Sequence, residues 1–355
     1  PLHQQLTSLA SADVLVILVV NAPEDANPRA IEDTKVLLNT LHTQDYDHVI
    51  VVDRASNGLR LNPKQGVGLA RKIGSDLALA LRFAGRLRSD WLLQSDADVV
   101  FPAGYTDLLH QNPVHNSAGA RIFPHSHYSS DPTLHYAGQL YDQHMSYYVA
   151  GLAMAGSRYA HHSLGSTIAV HAKSYAAVRG YPKRSAGEDF YLLNKVRKLA
   201  PIEPLRGPIL SIEARTSARV PFGTGPALRK IVESLATDPS GGSYLSYHPA
   251  CFSLLGRALS ALNQWADDPR QAIHFDVSRR LSALGFEGFA GGLSKQQISP
   301  KQRHRCVHDW FDGLKTLQFI HACQETHADQ SLTRTLANLE SAFRSKVFEF
   351  KTNSG

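Results

Sequence analysis

The chain has 355 residues, 43% hydrophobic and 19% charged, a composition that excludes disordered and fibrous classes and leaves room for one large domain with an appendage, or two domains. An excess of 37 Lys and Arg over 31 Asp and Glu gives a formal charge of +6 and suits anionic ligands, yet no zinc-finger spacing, basic helix or aromatic-basic signature accompanies it, so no nucleic-acid partner is expected. Cys251, Cys306 and Cys323 are too dispersed for a disulfide framework, and the longest apolar run, residues 14–20, is too short to span a bilayer; with no signal-peptide pattern at the start, a cytoplasmic location is expected.

Residues 14–20 are continuously apolar and rich in β-branched side chains, which predicts a strand buried on both faces of a parallel sheet, ending at Asn21 to Glu24. Ile31, Leu38 and Leu41 recur at helical spacing, and a second apolar run at residues 49–52 stops at Asp53, completing a β-α-β unit. Gly66 and Gly68 introduce a helix with Ile73, Leu77 and Leu81 on one face. Trp91 to Leu93 then predicts a third strand, ending at Asp96, Ala97 and Asp98. This alternation predicts a doubly wound α/β sheet with Asn21, Asp53, Asp96 and Asp98 on its ligand-binding rim.

Residues 110–165 are rich in His, Tyr, Ser and Gly with weak periodicity, which predicts loops around short strands. Gly187 then opens a helix with Glu188 and Asp189 in its first turn and Phe190 and Leu193 toward the core. Residues 251–265, 271–284 and 332–350 have helical apolar spacing with few strand signals. The expected division is therefore residues 1–230 as an α/β domain and residues 231–355 as a helical C-terminal domain, with Ser240 to Ser243 as a flexible break.

Two carboxylates one residue apart after a strand suit a hard divalent cation that leaves positions for phosphate oxygens, so Asp96 and Asp98 predict Mn2+ or Mg2+ binding. Such triplets also arise in ordinary turns, where aspartate bonds its own backbone, and the same bland reading applies to Asp53. Gly66 would admit a phosphate close to the backbone at a helix start. Arg71 would point to an anion or to solvent.

Four features in order carry a resemblance: Asp53 followed by Arg54, Ala55 and Ser56; Gly66, Gly68 and Gly74 with Arg71 and Lys72; Asp96 with Asp98; and Gly187, Glu188 and Asp189. Over residues 12–225 the chain resembles the inverting glycosyltransferase family two and its relatives with the GT-A fold, a doubly wound mixed sheet. The resemblance implies a UDP- or GDP-sugar donor and a hydroxyl acceptor. Asp53 would contact the nucleobase, Asp96 the ribose and metal, and Asp98 the metal directly; Asp189 would be the base and Glu188 would position it or the acceptor. Asn21 and Glu24 join Asp53, Gly66 and Arg71 as candidate donor contacts. The chain departs from its relatives in lacking an acidic residue beside Asp53 and a histidine in residues 211–221, where Arg215, Ser217 and Arg219 stand instead. Arg215 or Arg219 is expected to pair with the diphosphate.

A first-turn position predicts that Asp189 stays strongly acidic and takes its proton late. His125, Tyr128 and His135 could line an acceptor site, while His304, Cys306 and His308 lack the partners of a zinc site. The open alternatives are a retaining enzyme on the same fold, similar to mannosylglycerate synthase, and a silent nucleotide-sugar or protein-binding module. The C-terminal helices could cover an acceptor, form a homodimer or rest peripherally on an anionic membrane.

Overall fold

The apolar run at residues 14–20 becomes β1 (Val16–Asn21), followed by α2 (Pro28–Thr43) and β2 (Val49–Arg54); ahead of them lies α1 (Leu2–Ala10). Asn27 caps α2 by accepting from the Ala30 N–H, with Pro28 in the first turn, where its missing donor costs nothing. β1 and β2 pair in parallel, Val16 opposite Val49 through Asn21 opposite Arg54. Leu6, Val20, Ala22, Leu38, Leu41 and Ala55 form a core cluster between these elements. Most β1 and β2 side chains are half-buried, not enclosed as expected, because among the described residues each strand pairs with the other alone.

The computed structural model describes residues 2–10, 13–44, 46–111, 117–217 and 223–337. Contacts divide the chain into two compact units, residues 1–138 with 163–229, and residues 139–162 with 230–355. The first is α/β with mixed sheets.

Helix α3 (Gly66–Phe83) packs on β1, where Gly74 lies against Val19. It also packs on β3 (Trp91–Leu93). That strand pairs not with β1, as a single doubly wound sheet would require, but antiparallel with a later strand. In chain order come β4 (Val99–Val100), α4 (Leu108–Gln111), β5 (Ala120–Ile122), β6 (His125–Tyr128), α5 (Pro132–Met154), β7 (Ile168–His171), α6 (Ala172–Ala177), α7 (Glu188–Leu199), β8 (Ile202–Pro204) and β9 (Leu210–Glu213). They form a four-stranded sheet, β3-β7-β5-β8, and a three-stranded sheet, β4-β9-β6. Ile168 and Val170 join Leu92, Leu192, Leu193 and Val196 on one side of the larger sheet. Ala169, between them, belongs to a second cluster with Val99, Phe123, Leu210 and Ile212, the alternation a doubly covered strand imposes. Each such aliphatic side chain contributes about 1.5–3 kcal/mol on burial. Leu193 is buried as expected, whereas Phe190 is half-buried, and so are Ile73, Leu77 and Leu81 of α3.

The largest departure is α5, a 23-residue helix where loops were expected. Its glycines stand at contacts: a Cβ on Gly138 would lie 2.9 Å from that of His127, and one on Gly151 would lie 2.6 Å from the Phe252 ring. Glycine lowers helix propensity, and aromatic and histidine side chains spread around the helix blur its periodicity.

The second unit is mainly helical. After α8 (Thr224–Leu235), which runs across the division, come α9 (Pro249–Asp267), α10 (Phe275–Ala283), α11 (Phe286–Ser294), α12 (Pro300–Trp310) and α13 (Gly313–Gln324). The segment expected as a flexible break is a closed turn, in which the Asp238 carboxylate accepts from the Ser240 and Ser243 N–H groups. The helix expected over residues 332–350 lies beyond residue 337 outside the described residues. Among the described residues, no helix is long and apolar enough to cross a membrane.

Candidate active site

Three elements of the first unit place charged side chains around Arg71, in the second turn of α3. Its Nη2 donates to Asp96 Oδ1 at 2.7 Å, beyond the end of β3, and its Nε donates to Glu188 Oε1 at 2.9 Å, at the start of α7. Only 9% of the Arg71 side chain and 6% of the Glu188 side chain are exposed, against 46% for Asp96. Burial opposes the guanidinium charge, but Asp96 foremost, then the neighbouring Tyr181, Glu188 and Asp189, hold it more firmly protonated than usual. Arg71 therefore faces neither solvent nor a free anion, as its sequence position left open. It ties three chain segments together.

Asp189 sits beside this knot, its Oδ1 accepting from the Phe190 N–H at 2.7 Å. Gly165 closes against both groups: a Cβ there would meet Arg71 Nη2 at 2.7 Å and Asp189 Oδ2 at 3.2 Å. Burial first, then the Glu188 charge, push the Asp189 carboxyl up to about 6, against the lowering effects of the Phe190 N–H and Arg71. This corrects the expectation of a strongly acidic group. The backbone at the helix start does favour the ionised form, but desolvation and a second carboxylate outweigh it.

The other half of the acidic triplet is held differently. Asp98 precedes β4, and its Oδ2 takes Arg215 Nη2 at 2.6 Å from the chain beyond β9. Burial raises the Asp98 carboxyl above its ordinary value and Asp96 adds to this, while Arg215 pulls it back. Asp96, Asp98, Glu188 and Asp189 thus form one electrostatic neighbourhood with two arginines, four negative charges against two positive when all are ionised. Among the described residues, no three or more His, Cys, Asp or Glu side chains are gathered to hold a metal ion. Magnesium or manganese needs less, since either can be held by one or two carboxylates while water and phosphate oxygens fill the remaining positions. Asp96 and Asp98 supply two carboxylates of that kind, each ion-paired to an arginine in this structure.

The remaining candidates have local roles. Asp53 Oδ1 accepts from the Ala55 and Ser56 N–H groups, both at 2.9 Å, closing the turn after β2. Against the upward pull of burial, the Ser56 hydroxyl and these N–H groups keep its carboxyl below the usual value. Exposed Asn21, at the end of β1, donates to Val19 O through its side-chain amide, and the backbone N–H of exposed Glu24 donates to Leu61 O. Gly66 and Gly68 face protein: a Cβ on Gly68 would lie 2.4 Å from Pro182 O, and one on Gly66 would lie 2.9 Å from Ser185 Cα. The Gly68 N–H donates to Arg184 O, so these glycines dock α3 on the segment leading to α7. Arg219 lies outside the described residues. His304 bonds Asp267 at 2.7 Å.

Gly165 and Tyr181 lie in residues 162–166 and 175–182, stretches that resemble the family's segment leading into its acidic helix, but sequence reasoning gave neither a role in the site. The Tyr181 hydroxyl is buried without a hydrogen-bond partner among the described residues. Burial pushes the phenol well above its ordinary value, with Arg71 opposing and Asp189 and Glu188 adding. The resemblance of those stretches was the available signal; their contact with Arg71 and Asp189 is a long-range fact that spacing does not carry. Compared with known proteins, the chain matches no protein-family model and no curated protein sequence.

Proposed function

We propose that the chain is a metal-dependent glycosyltransferase of the GT-A type, moving a sugar from a UDP- or GDP-sugar to an acceptor hydroxyl with inversion. The observation that carries this reading is Asp189, a carboxyl raised to about 6 beside the Arg71, Asp96 and Glu188 knot. Such a carboxyl is mostly ionised at neutral pH yet more basic than an ordinary aspartate, as a general base requires. Asp189 takes the acceptor proton while the acceptor oxygen attacks the anomeric carbon, and the bond from that carbon to the diphosphate breaks. Glu188, fixed by Arg71, holds up the basicity of Asp189. Asp96 and Asp98 hold the metal, which when bound neutralises charge on the departing diphosphate. Arg215 is exposed enough to exchange its Asp98 partner for a phosphate oxygen.

A nucleotide-release screen over UDP- and GDP-sugars with pooled sugar acceptors, in manganese, magnesium or chelator, tests the reading. Turnover is expected only with metal, and Asp189→Ala should lower it by about 10²–10⁴-fold. Turnover that persists in chelator, or an Asp189→Ala enzyme at the wild-type rate, would overturn the mechanism.

A further inference from the structure

The strand registers carry the site beyond Asp98. Val99 lies opposite Ile212, and the Glu213 N–H donates to Asp98 O at 3.1 Å, which sets Asp98 beside Glu213. On the other side of β9, Glu213 is the parallel partner of Tyr128. Asp98, Glu213 and Tyr128 therefore form one row across β4, β9 and β6, with side chains on the same face. The next row, Val99, Ile212 and His127, is buried. Neighbouring strands lie about 4.8 Å apart, so the row spans roughly 10 Å.

Its chemistry is specific. Tyr128 is 57% exposed, Glu213 is exposed at the end of β9, and Arg215, two residues farther along the chain, reaches Asp98, so a carboxylate and a guanidinium lie side by side next to the ring. His135 meets the Tyr128 ring edge-on, with ring centroids 5.4 Å apart, and limits its swing. An aromatic face that stays exposed, bordered by a carboxylate, matches a pyranose ring, whose C–H face stacks on an aromatic ring while its rim hydroxyls donate to a carboxylate. We infer that Tyr128 is the stacking platform for a ring of a carbohydrate acceptor, with Glu213 accepting from that ring's hydroxyls. This inference rests on the transferase reading for its placement beside the reacting centre and names the acceptor class as a glycan.

Saturation-transfer NMR on the full chain, with methyl glycosides and disaccharides of glucose, galactose and mannose as probes, tests the platform. At least one probe should receive saturation on one ring face. Tyr128→Phe should keep that binding, and Tyr128→Ala should weaken it by about three- to tenfold. Calorimetric titration of UDP and GDP with magnesium on the same samples separates the two ideas. Sugar binding that depends on Tyr128 without any nucleotide binding would keep the platform and sink the transferase reading. No bound sugar in the wild type, or equal binding by Tyr128→Ala, would overturn the platform.

Discussion

Arg71 and Arg215 each bond one carboxylate of the Asp96 and Asp98 pair, and they differ in what surrounds them. Arg71 has 9% of its side chain exposed and two carboxylate partners on separate elements, whereas Arg215 has 55% exposed and is ion-paired with Asp98. In the first setting each charge has lost much of its water, so removing one partner strands the others. In the second, the arginine is open to water, which screens the attraction and can replace Asp98 as its partner, while Asp98 itself is 17% exposed. One arginine ties the buried carboxylates together; the other is open to solvent.

Substitution should separate the two by several kcal/mol. Arg71→Ala leaves Glu188 buried and unpaired, and a loss of about 3–5 kcal/mol is expected in a denaturant titration, possible only if the knot is as buried as described. A loss no larger than that of a surface substitution would break the comparison. Asp189 gives the next effect, of opposite sign. Its carboxyl is raised from 3.8 to about 6, so the folded state keeps a proton that the unfolded state has released. That stabilising contribution is complete below about pH 4 and is lost as pH rises through about 6. Asp189→Asn should therefore be more stable than the wild type by about 1–2 kcal/mol at pH 7–8, with the difference closing toward pH 4. A stability difference that is flat with pH would sink the assignment. Smallest is Arg215→Ala, with an expected loss within about 1 kcal/mol that shrinks further in high salt.

Much of this site was legible in the chain because its parts obey local rules. The apolar runs before Asn21 and Asp53 are strands, the glycines at 66 and 68 open a helix, and Glu188 and Asp189 begin another. What sequence could not reveal is the object these pieces share. Arg71 sits among ordinary helix residues, and its burial follows from the meeting of α3, β3 and α7, a long-range fact without a local signature. The partner of β3 was lost for the same reason, since an antiparallel neighbour 78 positions on, Leu92 opposite Val170, leaves no trace in periodicity. Glycine was misleading in two directions. At Gly66 and Gly68 it signals close approach by the Pro182 to Ser185 segment, not by a phosphate, and in α5 it signals packing, not a loop. The balance at Asp189 was missed because helix position is visible in sequence, whereas burial and the fixed Glu188 charge are not.

Nucleotide binding tests the central assignment most directly, because it asks of the acidic triplet only that it hold a diphosphate through a metal. Calorimetric titration of UDP and GDP into the full chain with magnesium should show one of them binding. That affinity should fall by about tenfold or more in chelator and in Asp98→Asn, and should survive in Asp189→Asn. No binding of either nucleotide with magnesium, or binding indifferent to both chelator and Asp98→Asn, would contradict it.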